Sequence, residues 1–180
     1  MTFADSRVWA RRPPAVTLVL GGARSGKSRH AERLIEAAGG GIYLATAEVR
    51  DEEMRARIDQ HQSRRGQNWR TIEEAAAIAP LIASADAPVL LDCLTLWLSN
   101  LMERQADIAA ETDILIESFI EAKHPVVLVS NEVGLGIVPM NPLARRFRDE
   151  AGRLNQTMAE IAGHVVFLAA GLPLSFKDPS

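Results

Sequence analysis

Cysteine is almost missing from this chain: Cys93 is the only one in 180 residues. A single thiol can form neither an intramolecular disulfide nor a cysteine-based zinc cluster, and it suits a reducing cytoplasm. Long apolar runs are missing too. None approaches the roughly 18 residues of a membrane span, and residues 1–14 lack the apolar centre of a secretory signal. The expectation is a cytoplasmic, unexported protein with no membrane span. Positive charge is not in surplus either, with Lys and Arg together numbering 20 against 23 Asp and Glu, for a net charge of −3. Without a basic field, nucleic acid is not the expected partner and a small molecule is. No repeat, low-complexity tract or linker divides the chain. With 47% hydrophobic residues, its length suits one domain over residues 15–180, behind a lead-in at 1–14 that shows no period.

What is present is organised around Gly21, Gly22, Ala23, Arg24, Ser25, Gly26, Lys27 and Ser28, between the apolar run Val16–Leu20 and a helix-like segment. This G-x-x-x-x-G-K-S spacing is that of a phosphate-binding loop. Small residues let consecutive backbone N–H groups converge above a helix N-terminus, where an anion is favoured. Lys27, expected to be exposed there, would reach the β- and γ-phosphates, and Ser28 would be a magnesium ligand.

Around the loop the pattern is that of an α/β domain. Continuous apolar runs at Thr17–Leu20, Ile42–Thr46, Val89–Leu91, Val126–Val129 and Val165–Ala169 read as strands covered on both faces. Helical periods separate them, so a mainly parallel sheet with helices on both faces is expected, in a P-loop NTPase-like, RecA-like arrangement. Trp69–Ile72 reads as a short peripheral strand, Glu73–Ala85 as an alanine-rich helix, and Leu172–Leu174 as a turn into a tail. The helix Pro142–Ala162 carries an apolar line through Leu143, Phe147, Leu154, Met158 and Ile161, which reads as core. Leu94, Leu96, Trp97, Leu98, Leu101 and Met102 exceed one helical stripe, for which a subunit contact is one explanation.

Several polar residues have two readings. Asp92 ends an apolar strand, as a Walker B carboxylate that holds magnesium does, and it also suits a helix N-cap. His61 follows Met54 and Ile58 on one helical face, either as a hydrogen-bonded core residue or as a catalyst. Arg145, Arg146, Arg148 and Arg153 flank the apolar line of their helix as solvated charges or as phosphate contacts.

Together with the loop, the stretches Asp51–Met54, Arg57–His61, Trp69–Thr71, Leu91–Cys93 and Ser130–Pro139 make the chain resemble the bifunctional adenosylcobinamide kinase and adenosylcobinamide-phosphate guanylyltransferase family of cobalamin biosynthesis. The resemblance runs from about Val16 to Leu174. It implies a RecA-like domain, a homotrimer, and GTP and ATP as nucleotide substrates with Mg2+. The acceptors it implies are adenosylcobinamide and then adenosylcobinamide phosphate, the second receiving GMP through a guanylylated His61. Nucleotide contacts implied by position are Gly21 through Ser28, Thr46, Ala47, Glu48, Gln62, Ser63, Arg64, Arg65, Glu73 and Asp92, with Lys27 catalytic and Ser28 and Asp92 on the metal. Gln60 and Met140 depart from the family pattern, which often has a histidine or arginine at the first position and an acidic residue at the second.

Three other classes compete with this reading. A simple small-molecule kinase would share the loop and Asp92 and form no nucleotide adduct. A GTPase switch lacks support, because no Asn/Thr-Lys-x-Asp guanine motif occurs and Cys93-Leu94-Thr95 offers no switch glycine. A nucleic-acid motor lacks a clustered basic and aromatic strip.

Overall fold

A computed structural model describes residues 16–48, 66 and 68–178. The lead-in at 1–14 and the segment holding His61, Gln62, Ser63, Arg64 and Arg65 lie outside the described residues.

Among the described residues, seven strands form one sheet: β1 (Val16–Gly21), β2 (Gly41–Ala45), β3 (Trp69–Glu73), β4 (Val89–Asp92), β5 (Val126–Asn131), β6 (His164–Ala169) and β7 (Leu172–Lys177). Their order is β3–β2–β4–β5–β1–β6–β7, with only β7 antiparallel to its neighbour. The apolar runs explain the interior of the sheet. In β1, β2, β4 and β5 apolar residues follow one another without polar alternation, because consecutive side chains go to opposite faces and both faces are covered.

The helices are α1 (Lys27–Ala37), α2 (Ala79–Ala83), α3 (Leu94–Glu103), α4 (Ile108–Glu121) and α5 (Pro142–Ile161). On one face Leu18, Leu44, Leu91 and Leu128 pack with Ile82, Trp97, Leu98, Phe119, Leu154 and Met158 from α2 to α5. On the other, Val19, Tyr43, Leu90 and Val129 pack with Ala31 and Ile35 of α1. Asp107 caps α4 and Asn141 caps α5, each accepting two backbone N–H groups of the first turn. Such a cap contributes about 1 kcal/mol. The result is a single α/β domain with a mostly parallel sheet, in keeping with a P-loop NTPase-like fold.

Four expectations need correcting. The helix predicted over Glu73–Ala85 is only Ala79–Ala83, because Glu73 pairs with Ala45 in the sheet and the Glu74 carboxylate accepts Ala76 N–H and Ala77 N–H, holding a turn. Pro80 then sits in the first helical turn, where its missing N–H costs least. The predicted tail is strand β7, which Ala170 and Gly171, with φ of 53° and 80°, turn back against β6. Pro173 is tolerated because β7 is an edge strand. Leu143 lies ahead of the part of α5 that meets the sheet and is 64% exposed. Finally, Leu94, Trp97, Leu98 and Leu101 are buried inside the chain itself, so the apolar surplus of α3 is core and not a subunit contact.

Candidate nucleotide site

The parallel strands all end on one edge of the sheet, where Gly21, Ala45, Glu73, Asp92 and Asn131 close β1 to β5. Ligands of open α/β sheets bind outside that edge, where the dipoles of the following helices also point. Strand β5 lies between β1 and β4, and so sets the spacing between the phosphate loop and Asp92.

The loop between β1 and α1 is held from within. Ser25 N–H donates to Gly22 O at 3.3 Å, and His30 N–H donates to Gly26 O at 3.0 Å as the helical ladder begins. Gly171 N–H, from the β6–β7 turn, donates to Ser25 O at 2.9 Å. Two positions require glycine. A Cβ at Gly21 would stand 2.5 Å from Ser25 Oγ and 2.7 Å from Leu168 O, while Gly26 has φ of +95° and its Cβ would meet Gly171 Cα at 3.3 Å. The tight turn that the motif predicts is therefore enforced by packing as well as by backbone freedom.

Lys27 is not exposed, as the sequence led us to expect, but 8% exposed, with Nζ donating to Gly22 O at 3.0 Å. Burial pulls its ammonium below the usual lysine range, while the negative Asp92, and after it Cys93, oppose that shift. A desolvated cation without enough counter-charge is stabilised when an anion arrives. Ser25 Oγ is buried and has no hydrogen-bond partner among the described residues. Buried hydroxyls are nearly always paired, so this orphan fits a ligand oxygen in the loop. Ser28, the second residue of α1, is half-buried.

Asp92 does not cap α3. Cys93 occupies the cap position. The carboxylate instead accepts the Tyr43 hydroxyl at Oδ2, at 2.7 Å. The backbone beyond it is tied to β2: Thr46 N–H donates to Asp92 O at 3.1 Å, Thr46 Oγ1 donates to Cys93 O and Cys93 N–H donates back to Thr46 Oγ1, both at 2.8 Å. Thr46 is fully buried, and Asn100 Nδ2 joins its carbonyl to that of Ala75. Burial, with Asp92 adding to it, pushes the Cys93 thiol up to about 11, so it is a neutral packing group at this edge. Ser28 and Asp92 supply a hydroxyl and a carboxylate, hard oxygen donors too few for an all-protein cage. That donor set fits magnesium, which keeps several waters and takes substrate phosphates.

Other expected residues are distributed around this centre. Glu48 bonds Arg104 at 2.7 Å, at the end of the segment carrying Thr46 and Ala47, and Glu73 ends β3 beside Ala45. Of the arginines on α5, Arg145 donates to Pro139 O and Met140 O, Arg148 pairs with Asp149, and Arg153 pairs with Glu150. These three serve the helix and its leading loop. Sequence reasoning missed Tyr43, Asn100 and the buried Ser130–Asn155 bond of 2.6 Å. Tyr43, Asn100 and Ser130 are polar residues beside apolar runs, which was the available signal, while Asn155, next to Gln156 and Thr157, gave none.

Residues 17–176 match the family described as cobinamide kinase / cobinamide phosphate guanyltransferase. The bifunctional adenosylcobalamin biosynthesis protein CobP of Pseudomonas aeruginosa is 48% identical over 166 residues, covering 89% of this chain and 96% of that protein. The proteins named CobU of Salmonella typhimurium and Escherichia coli are 44% and 42% identical over 178 residues, each covering 89% of this chain and 98% of the relative. The loop at Gly21–Ser28 and the strand ending at Asp92 both lie inside the matched span, and with it the chain belongs to the cobinamide kinase / cobinamide phosphate guanyltransferase family of bifunctional enzymes.

Proposed function

We propose that one nucleotide cradle, built on Gly21 through Ser28, serves two successive transfers onto adenosylcobinamide. The observation that carries this reading is the loop itself, where buried Lys27 and the orphaned Ser25 Oγ lie at the N-terminus of α1. In the first transfer the hydroxyl oxygen of the corrinoid's aminopropanol arm attacks the γ-phosphorus of ATP or GTP. The bond to the β-phosphate oxygen breaks, a nucleoside diphosphate leaves, and the hydroxyl proton is released. There is little covalent work for the protein in such a step, so positioning and charge stabilisation dominate. Lys27 and the loop N–H groups would hold the β- and γ-oxygens as charge shifts to the leaving group. Magnesium, held by Ser28 and Asp92, would supply further neutralisation of that charge.

In the second transfer an imidazole nitrogen of His61 attacks the α-phosphorus of GTP, forming a P–N bond and releasing pyrophosphate. A phosphate oxygen of adenosylcobinamide phosphate then attacks the same phosphorus. The P–N bond breaks, its electron pair returns to the imidazole, and adenosylcobinamide-GDP is formed. An imidazole with an ordinary pKa of about 6.5 is largely neutral near pH 7 and needs no strong base. Covalent catalysis divides one transfer between two anions into two easier displacements. The reading is tested with GTP labelled separately at the α and γ positions. The α label is expected on the protein and the γ label on the corrinoid; γ label on the corrinoid with none on the protein would reduce the enzyme to a simple kinase.

We also propose a homotrimer, on the strength of the family resemblance. Leu135, Ile137, Val138 and Met140 stand exposed in the loop before α5, an uncommon apolar cluster for the surface of an isolated domain. Sedimentation at micromolar concentration is expected to give three times the chain mass of 19.6 kDa. A monomer at that concentration would contradict the proposal.

A further inference from the structure

Tyr43 is the one polar side chain in β2, and it is 5% exposed. Its ring lies in the apolar layer beneath α1 and meets Trp69 edge-on, with centroids 6.2 Å apart and planes at 72°. Phenylalanine would satisfy that packing equally well. A buried phenol is worth its desolvation only if the hydroxyl has a partner, and here it donates to Asp92 Oδ2 at 2.7 Å. The sheet register explains why the two meet. Ala45 stands opposite Asp92, and Tyr43 stands opposite Leu90; with side chains alternating, Tyr43, Leu90 and Asp92 share the face that carries α1.

We propose that Tyr43 is a positioning residue for the divalent cation of the phosphoryl-transfer step: its hydroxyl holds Asp92 by Oδ2 and so presents Oδ1 to magnesium or to one of its waters. The proposal rests on the reading of Asp92 as the magnesium carboxylate. A carboxylate on the last residue of a strand is free to rotate about two side-chain bonds, and Tyr43 removes that freedom before the metal arrives. Thr46 completes the support by fixing the backbone, through its reciprocal bonds to Cys93 and its N–H donated to Asp92 O. Removing partners that orient a metal's ligands in this way typically costs roughly 10- to 100-fold in metal affinity or activity.

The test uses Mn2+ as a paramagnetic stand-in for magnesium, bound to the full chain with a non-hydrolysable GTP analogue and read by electron paramagnetic resonance. Tyr43→Phe keeps the ring and its Trp69 contact. It is expected to weaken Mn2+ about tenfold, with the magnesium concentration for half-maximal phosphoryl transfer rising in parallel and kcat at saturating magnesium changing far less. Trp69→Leu disturbs the ring packing without touching the hydroxyl and is expected to bind Mn2+ as wild type does. If it weakens Mn2+ as much as Tyr43→Phe, the effect belongs to packing and the proposal is overturned. Asp92→Asn separates the layers. If it weakens Mn2+ while Tyr43→Phe does not, the role of Tyr43 is wrong and that of Asp92 stands; if neither variant weakens Mn2+, the reading of Asp92 falls and the proposal with it.

Discussion

Replacing His61 by asparagine is expected to separate the two activities in one protein. Formation of adenosylcobinamide-GDP should fall by on the order of 10⁴-fold or more, the scale seen when a covalent nucleophile is removed. Phosphorylation of adenosylcobinamide should stay within a few-fold of wild type, because the γ-phosphate cradle at Gly21–Ser28 uses no imidazole. Chromatography of the corrinoid products reads both at once. The variant should accumulate adenosylcobinamide phosphate and stop there. His30, His124 and His164 are poorer nucleophiles by position. His30 lies in the first turns of α1, whereas His124 follows the end of α4 and His164 opens β6 at the far end of the strand from the loop. Undiminished guanylyl transfer in the His61 variant would assign the nucleophile elsewhere.

Lys27→Ala is expected to damage both reactions. A single preorganised charge aimed at developing negative charge is worth roughly 10²- to 10³-fold in turnover, or about 3–4 kcal/mol, and nucleotide affinity should weaken as well. The fold should survive, although Lys27 is buried. Its amine bonds within the loop, to Gly22 O, and burial pulls its ammonium below the usual lysine range, so the charge is held at a desolvation cost. Deleting an under-compensated charge does not destabilise as deleting a core leucine does. Thermal unfolding followed by circular dichroism, alongside nucleotide titration, checks the pair of outcomes. Wild-type GTP affinity with intact structure would remove Lys27 from the site.

The parts of this molecule that were legible in the sequence are those written locally. The phosphate-loop motif is contiguous, and the strand and helix expected on either side of it are there as β1 and α1, while Val126–Val129 or Val89–Leu91 can be little else than strands buried on both faces. Asp92 was legible as the acidic residue that closes a strand at this edge of the sheet, although its competing N-cap role was decided only by the structure, which gives the cap position to Cys93. Misreadings arose where a turn outweighed a propensity. The alanines after Glu74 favour a helix, yet the Glu74 carboxylate bonds the backbone of Ala76 and Ala77, and Pro80 fixes where the helix can begin. The strand β7 depends on the left-handed turn at Ala170 and Gly171, and only the glycine announces such a turn.

What could not be read at all are the pairs that register creates. Tyr43 with Asp92 and Thr46 with Cys93 are 49 and 47 residues apart, and a one-residue slip between β2 and β4 would abolish both. The apolar richness of α3 misled for a related reason. A helix wide enough for two neighbours looks the same in sequence whether the second neighbour is another chain or α4 and α5 of its own, and here Trp97 even donates its indole N–H to Ala76 O.

The central claim is that a covalent guanylyl-enzyme lies between GTP and the corrinoid. Its most direct test is a chase. Wild-type protein is incubated with α-labelled GTP and magnesium, freed of nucleotide, and mixed with adenosylcobinamide phosphate, while a second portion is digested to locate the label. The account predicts an acid-labile, alkali-stable adduct on the peptide containing His61, and transfer of that label to the corrinoid in a single turnover. Label that never appears on the protein, or that stays there when the acceptor is added, would contradict it.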